Sequence, residues 1–188
     1  MIERLAILLL ALVSVISASV PGSANAQELF SIPDLGIQYV PPTGILDGTS
    51  PSGKEARKHA LANSRIVLIL DMASHERDTA PNWRQLWIFL RPRAALANLS
   101  ESAADAKMNT VLAGPRSTAV GSPHGVVLAG HNFVVSEFQQ SEPPLLKHAK
   151  LYTTSCKGQL VTLVFVSNSA ERLSEMEDSL KSLKFSAP

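Results

Sequence analysis

Cysteine is almost absent from the sequence, since the chain of 188 residues contains only Cys156. A single thiol cannot form a disulfide within the chain, although an exported protein would be allowed one. No cysteine follows the apolar segment at the start of the chain, so we expect no lipid-anchored cysteine there. The fold must be stabilised by its packed core, for which a chain of this length is sufficient.

An excess of charge of either sign is absent as well. Lys and Arg number 17 and Asp and Glu number 16, which gives a formal net charge of +1. Proteins that bind nucleic acid usually carry a basic patch or stripe, whereas basic residues such as Lys54, Arg57, Arg84 and Arg91 are dispersed here. We therefore expect no nucleic-acid partner.

The motifs of common enzymes are missing too. The five histidines show neither H-x-x-x-H nor H-E-x-x-H spacing, the patterns that place metal ligands on one helix face. The G-x-S-x-G turn of serine hydrolases and the glycine-rich loops that bind phosphates are also absent. The sequence predicts no catalytic residue, no cofactor and no metal site, and it leaves open only a site assembled from residues that are distant in the chain.

Two weaker signals remain. Cys156 would need an electropositive setting and an orienting base such as His148 to act as a nucleophile, and we predict instead a reduced, partly accessible thiol in the turn at 156–158. Trp87 lies in a strand pattern and is expected in the core. Trp83 is expected at a loop exit, where it could contact a ligand.

The first 26 residues have the features of an export signal. Arg4 supplies a positive charge, Leu5 to Ile16 form an apolar stretch, and "SANA" ends in an A-x-A cleavage motif. Serines and a proline interrupt the apolar run, which is therefore shorter than the roughly 18 residues of a membrane-spanning helix. We predict cleavage between Ala26 and Gln27. The product would be one domain over 27–188 without a stable membrane anchor, located in the periplasm or secreted.

Apolar runs predict strands at 37–40, 65–72, 85–92 and 125–140. The first is expected at a sheet edge, because a cluster of Pro and Gly follows it. The next two are expected to be central strands that are covered on both faces. The last is either one long bent strand or two strands that turn at Gly130.

Helix patterns occur at 52–62, where an S-x-x-E pair gives the start signal, and at 100–112, which Gly114 and Pro115 end. Loops are expected at 73–82 and 113–125, where polar and turn-forming residues cluster. One face of the second helix is expected to be apolar, and it consists of Ala104, Met108, Val111 and Leu112.

The end of the chain combines a hairpin with a helix. The runs "LLKHAKLYTTS" and "QLVTLVFVSNS" flank "CKG", in which Gly158 would supply the positive φ of the turn. Asn168 and Glu171 form a capping-box-like start for the helix that follows. Glu177 and Lys181 are expected to be solvent-exposed. The apolar face, expected to lie on the sheet, consists of Ala170, Leu173, Met176, Leu180 and Leu183.

This order of elements resembles the PsbP-like superfamily, which also includes the Mog-one nuclear-import factor and exported bacterial envelope proteins. The residues that carry the resemblance are "LGIQYVPPTG", "LAGHNFVVSEF", "LKHAKLYTTSCKGQLVTLVFV" and "ERLSEMEDSLKSLKF", and together they span 33–185. The resemblance implies an α+β fold, an α/β/α sandwich with a largely antiparallel sheet covered by helices on both faces. It has no invariant chemical motif, so it bears on the fold far more than on function.

Three functions are consistent with these observations. The resemblance favours a non-enzymatic envelope module that binds a protein, peptide or lipid partner. A hydrolase with a dispersed active site would require a pocket with two or more convergent titratable groups. A carrier of a small apolar ligand would require a smooth apolar concavity between sheet and helix.

Overall fold

The structure is a computed structural model that describes residues 29–47, 65–142 and 145–186. The predicted signal peptide, its cleavage site at Ala26 and Gln27, and the predicted helix at 52–62 lie outside the described residues.

The described residues form short and long strands, two α-helices and three 3-10 turns at Pro33–Leu35, Arg93–Leu96 and Asp178–Ser182. In chain order, the helices and strands are β1 (Phe30–Ile32), β2 (Ile37–Tyr39), β3 (Leu46–Asp47), β4 (Val67–Ala73), β5 (Arg84–Pro92), α1 (Glu101–Ala113), β6 (Thr118–Ala119), β7 (His124–Leu128), β8 (His131–Glu142), β9 (Leu145–Cys156), β10 (Gln159–Ser167), α2 (Ala170–Glu177) and β11 (Lys184–Phe185).

Most strands belong to one antiparallel sheet in the order β3-β4-β5-β10-β9-β8-β6, with β7 paired to β8 beside β6. A second, three-stranded sheet has the order β1-β2-β11. The two helices and the antiparallel sheet give the α+β class that the sequence predicts.

Two tight turns set the register of the longest strands. The pair Lys157 and Gly158 joins β9 to β10 with φ of 45° and 76°, and Ala129 and Gly130 join β7 to β8 with φ of 49° and 79°. Positive φ at both central residues is the type I′ geometry that matches the twist of a hairpin. The predicted "CKG" hairpin is confirmed, and 125–140 forms two strands rather than one.

Alternate side chains of β10 contribute to two different hydrophobic clusters, as the two-residue period of a strand requires. The first cluster includes Val161, Leu163 and Phe165 of β10 together with Leu173, Met176, Leu180 and Leu183 from the end of the chain. The second cluster includes Leu160, Val164 and Val166 of β10 together with Met108 of α1. The prediction that the terminal helix lies with its apolar face on the sheet is thus confirmed, except that Ala170 is exposed.

The predicted positions of two strands in the sheet were wrong. β2 is the middle strand of the small sheet because the end of the chain returns to pair Phe185 with Ile37. β4 is not a fully covered central strand, since only the two-residue strand β3 lies beyond it and Val67 is 48% exposed. By contrast, β5 pairs with both β4 and β10 and is central, as predicted.

The start of α2 and the buried face of α1 also differ from the predictions. Ser169 caps α2, with its hydroxyl accepting a hydrogen bond from Arg172 N. Asn168 instead donates from its side chain to the carbonyls of Asp78 and Ala80, at 2.7 and 2.8 Å. In α1, Val111 is exposed, and the polar residues Asp105 and Asn109 are buried with Ala104 and Met108. The loop predicted at 113–125 contains the short strand β6 and the start of β7.

Candidate functional site

The histidines do not form a common centre. His75 and His124 are exposed, His148 is half-buried, and the ring of His131 stacks on Phe185 with ring centroids 3.8 Å apart. Within residues 29–47, 65–142 and 145–186, no group of three or more His, Cys, Asp or Glu side chains is placed to hold a metal ion. His59 lies outside these residues.

Cys156 cannot be activated by His148. The two residues lie at opposite ends of β9, where Cys156 pairs with Gln159 and His148 pairs with Ser167. Eight residues of strand separate them by about 27 Å at the usual rise. The thiol is buried and its Sγ lies 3.7 Å from the carbonyl of Leu35. The prediction of a partly accessible thiol was therefore wrong, because the 3-10 turn at Pro33–Leu35 covers this end of the hairpin.

Trp83 and Trp87 line one groove, which we call the aromatic groove. Trp83 directly precedes β5, at the loop exit that the sequence predicts, but it is only 7% exposed and belongs to the second hydrophobic cluster. Trp87 lies in β5 as predicted, but it is half-buried and packs against that cluster from its side. Lys147 Nζ lies 5.4 Å from the centroid of the Trp83 ring. The groove has a volume of about 300 Å³, and its apolar lining also includes Leu112, Phe138, Leu151, Val164 and Val166.

A larger groove of about 560 Å³ lies between the first turns of α1 and the hairpin β7–β8, and we call it the edge groove. One wall is α1, which packs over β8 and β9. The other wall is strand β7, which lies beyond β8. The lining residues are Glu101, Ser102 and Asp105 of α1, Gly125, Val126 and Val127 of β7, and Asn132, Phe133 and Val134 of β8.

β7 leaves one side of its backbone open within the described part of the chain, because it pairs only with β8. Leu128 and His131 are the pair that closes the two-residue turn, and such a pair exchanges both backbone hydrogen bonds. The alternation of an antiparallel ladder then directs N–H and C=O of Gly125 and Val127 away from β8. The side chain of Val127, 69% exposed, is the most exposed large apolar side chain among the described residues.

The α1 wall of the edge groove carries two carboxylates. Glu101 and Asp105 are four residues apart and therefore lie on one face of the helix; Glu101 is exposed, whereas Asp105 is 3% exposed. Burial raises the pKa of Asp105 to about 6, and the hydroxyl of Ser155, which donates to Asp105 Oδ1 at 3.3 Å, opposes this rise. The carboxyl group thus changes its charge around pH 6.

A buried polar layer fixes α1 against the sheet. Asn109 donates from Nδ2 to the carbonyl of Val134 at 3.1 Å and to Ser136 Oγ at 2.9 Å. Its Oδ1 accepts from Thr153 Oγ1 at 2.6 Å, and Thr153 lies 2.6 Å from Thr162 Oγ1. Since Thr153 has one hydroxyl hydrogen, Thr162 is the donor to Thr153. The apolar pattern of the sequence does not predict this layer, although Asp105 and Asn109 recur at the helical spacing of Ala104 and Met108.

A charged cluster joins β8 and β9 to α2. Lys150 Nζ lies 3.3 Å from Glu137 Oε1 and 3.1 Å from Glu177 Oε2, and the hydroxyl of Tyr152 donates to Glu177 Oε1. Glu177 is therefore not the solvent-exposed residue that the sequence analysis predicts. Although burial opposes the charge, hydrogen bonds and attraction to Glu177 and Glu137 raise the pKa of Lys150. Burial raises the pKa of Tyr152 well above its usual range.

Such a cluster is suited to hold a helix on a sheet rather than to catalyse a reaction. A lysine or tyrosine that acts as a base at neutral pH needs a lowered pKa, and the pKa shifts of Lys150 and Tyr152 have the opposite sign. The adjacent groove, to which His148 also contributes, has a volume of only about 190 Å³.

None of the helices in the described ranges is both long and apolar enough to cross a lipid bilayer.

Comparison with solved structures identifies the fold. The solution structure of CyanoP, the cyanobacterial PsbP of Synechocystis sp. PCC 6803, superposes with a TM-score of 0.55 at 14% identity, over 90% of this chain and 99% of CyanoP. The chain therefore has a PsbP-like fold, as the resemblance in the sequence implies. A crystal structure of LpqN, a protein involved in cell envelope biogenesis of Mycobacterium tuberculosis, gives a TM-score of 0.39 at 12% identity, over 84% of this chain and 98% of LpqN.

Sequence comparison is negative: no protein-family model and no curated protein matches the chain.

Proposed function

We propose that this protein is a non-enzymatic, exported binding module of the cell envelope that uses the edge groove to bind a segment of another protein. Its scaffold would be a single domain over 27–188, an α/β/α sandwich. The two hydrophobic clusters support this arrangement, because alternate residues of β10 pack with α1 residues in one cluster and with α2 residues in the other.

The observation that carries the proposal is the open side of β7 next to a groove. An unpaired strand edge is a template for adding another strand, and proteins usually protect such edges with charges, proline or bulges. The sequence of β7, "HGVVL", contains no Lys, Arg, Asp, Glu or Pro. Pairing of an extended segment with such an edge is a common mode of peptide recognition.

Export is the second part of the proposal. It rests on the A-x-A motif and the apolar stretch that precedes it, and the mature protein would begin at Gln27. Intact mass measurement on protein recovered from the periplasm or the medium checks this start. A full-length chain embedded in the membrane would contradict it.

A carrier for a small apolar ligand is a second candidate function, favoured by the aromatic groove. Its volume of about 300 Å³ and its lining of Trp, Phe, Leu and Val residues suit an apolar molecule. A hydrolase is less consistent with the geometry of two of the grooves. The edge groove has two carboxylates and no basic residue among its described lining residues. In the groove of about 190 Å³, Glu137 and Glu177 are both paired with Lys150.

Site-specific photo-crosslinking in the cell envelope of the organism that produces the protein tests the leading proposal. A photoreactive phenylalanine analogue is placed at position 127 in the edge groove, and a matched control carries it at position 111, an exposed valine on α1. We expect one defined protein adduct at 127 and none at 111. Identical adducts at both positions, or none at 127, would contradict the proposal.

Native mass spectrometry distinguishes the carrier function from the protein-binding function. A bound apolar molecule that co-purifies with the wild-type protein, and that Phe138→Ala releases, would favour the carrier.

A further inference from the structure

We propose that the occupant of the edge groove is an extended peptide segment that pairs with β7 as an added strand and places a Lys or Arg side chain between Glu101 and Asp105. This inference rests on the proposed function and specifies the chemistry of the partner.

The backbone of β7 provides the pairing surface. N–H and C=O of Gly125 and Val127 point away from β8, so a strand laid alongside can form backbone hydrogen bonds with both residues. Gly125 has no side chain to limit the approach of a second backbone, and the space around its Cα is open: the nearest heavy atom that an added Cβ would meet is Phe133 O, 3.9 Å away. The pairing surface therefore exists without any rearrangement of β7.

The α1 wall selects the charge of the occupant. The two carboxylates of the edge groove come from Glu101 and Asp105, and none of its lining residues in the described part of the chain is Lys or Arg. The positive charge of Arg93 lowers the pKa of Asp105, but Arg93 is not a lining residue of the groove. A cationic side chain that enters the groove would form charge-assisted hydrogen bonds with carboxylates that the protein leaves without a basic partner in the lining.

The distance from an added strand to α1 requires the bound peptide to have a long side chain. α1 packs over β8 and β9 rather than over β7, so a strand added outside β7 lies about two strand spacings, roughly 10 Å, from β8. Lys and Arg have long apolar stems that can lie along Val127 while the charged end reaches Glu101. A short cationic or a neutral side chain would not bridge this distance.

Selection from a display library of random decapeptides against the exported form, residues 27–188, tests the inference. We expect the enriched peptides to share a Lys or Arg flanked by residues of high strand propensity. Affinity of an enriched peptide, measured by fluorescence anisotropy, should fall about tenfold or more in the double variant Glu101→Gln with Asp105→Asn. The control Val111→Thr, on the exposed side of α1, should bind as the wild type does.

A proline variant tests the backbone pairing separately. Val127→Pro removes an N–H that points away from β8, and proline is tolerated on an edge strand when its missing N–H would face solvent. We expect about a tenfold or greater loss of peptide binding with an unchanged circular dichroism spectrum. If the variant does not fold, amide exchange in the wild type replaces it: the amides of Gly125 and Val127 should become protected when the peptide binds.

The outcomes separate this inference from the proposed function. Enriched peptides that protect the β7 amides but contain no basic residue, and that bind the double variant equally well, would overturn the inference and leave the binding module intact. Failure to enrich any peptide, with a protein adduct still formed at position 127, would show a partner that does not add a strand. If no peptide is enriched and no adduct forms at position 127, both this inference and the proposed function are overturned. Concentration-dependent dimers that Val127→Pro abolishes would show that a second copy of the chain occupies the edge.

Discussion

Thr153 Oγ1 on β9 donates a 2.6 Å hydrogen bond to Asn109 Oδ1 on α1, and neither residue is exposed to solvent. A helix that packs on a sheet usually does so through apolar residues, but here the centre of the contact is polar. The bond and its neighbours fix both the rotation of α1 about its axis and its position along the sheet, because an unpaired buried polar group would be costly. The position of Asp105, one turn earlier, follows from that of Asn109.

Replacement of Asn109 with Ala should therefore destabilise the fold. The change removes the acceptor of Thr153 and the donor to Val134 O and Ser136 Oγ, so we expect a loss of about 1 to 3 kcal/mol in the free energy of unfolding. Urea unfolding measures it. Thr110→Ala is the matched control on the exposed face of α1 and should change stability by less than about 0.5 kcal/mol. Equal losses would show that the polar layer does not fix the helix.

Glu177 should behave as a half-buried contact residue rather than as a solvent-exposed one. Glu177→Ala removes the partner of Tyr152 and one of the two carboxylate partners of Lys150. We expect a loss of about 1 to 3 kcal/mol because hydrogen bonds to charged groups are among the stronger ones. Glu175→Ala breaks only an exposed pair with Arg172 and should cost less than about 1 kcal/mol. Thermal unfolding of both variants compares them, and a ranking in the opposite order would contradict the role given to the cluster.

Leu180 tests whether the end of the chain stabilises the fold. The side chain is 8% exposed and belongs to the first hydrophobic cluster, so Leu180→Ala should cost about 2 to 5 kcal/mol. Lys181 is 82% exposed in its side chain and pairs only with Asp178 in the described structure. Lys181→Ala should cost less than about 0.5 kcal/mol. Negligible effects at both positions in urea unfolding would mean that the terminal helix is loosely attached.

Local patterns were sufficient to predict the β9–β10 hairpin and the terminal helix, and they gave the β7–β8 hairpin as one of two alternatives. Gly158 and Gly130 mark turns that need positive φ, and the spacing of Leu173, Met176 and Leu180 gives the buried face of α2 and of the 3-10 turn that follows it. These features depend on residues that are close in the chain, so the sequence contains their signals in full.

Features that depend on contacts between residues far apart in the chain could not be predicted from the sequence. β2 is a middle strand only because Lys184 and Phe185 return to it, and Glu177 is half-buried only because it meets Tyr152. The edge groove depends on the same kind of information. The absence of charge in "HGVVL" is visible in the sequence, but the wall that Asp105 contributes requires the orientation of α1 on the sheet.

Cys156 should be unreactive in the folded protein. Its thiol is buried beneath the Pro33–Leu35 turn and lies 3.7 Å from Leu35 O, so maleimide without denaturant should leave it unmodified, while urea should allow complete labelling. The control is Lys157→Cys in a Cys156→Ala background, because position 157 is exposed in the same hairpin turn. The control should label rapidly without denaturant. Rapid labelling of the wild type would show that the 33–35 turn does not cover the hairpin.

Asp105 should make the stability of the fold depend on pH between about 4 and 6. Burial raises its pKa from 3.8 to about 6, helped by the charge of Glu101 and opposed by Ser155 and Arg93. The folded state therefore binds a proton more tightly than the unfolded state does, so stability increases as pH falls from about 6 to about 4 and is lost as pH rises back through 6. The expected size is about 2 kcal/mol.

Asp105→Asn removes this titration while it keeps an oxygen that accepts from Ser155. We expect the variant to be more stable than the wild type at pH 7, and the difference to vanish near pH 4, where the wild-type carboxyl is protonated. Urea unfolding at a series of pH values gives the two curves. Glu101→Gln, at the exposed position one turn earlier, is the control and should leave most of the pH dependence in place. A variant that is less stable than the wild type at pH 7 would show that the Asp105 charge stabilises the folded protein, against the effect of its burial.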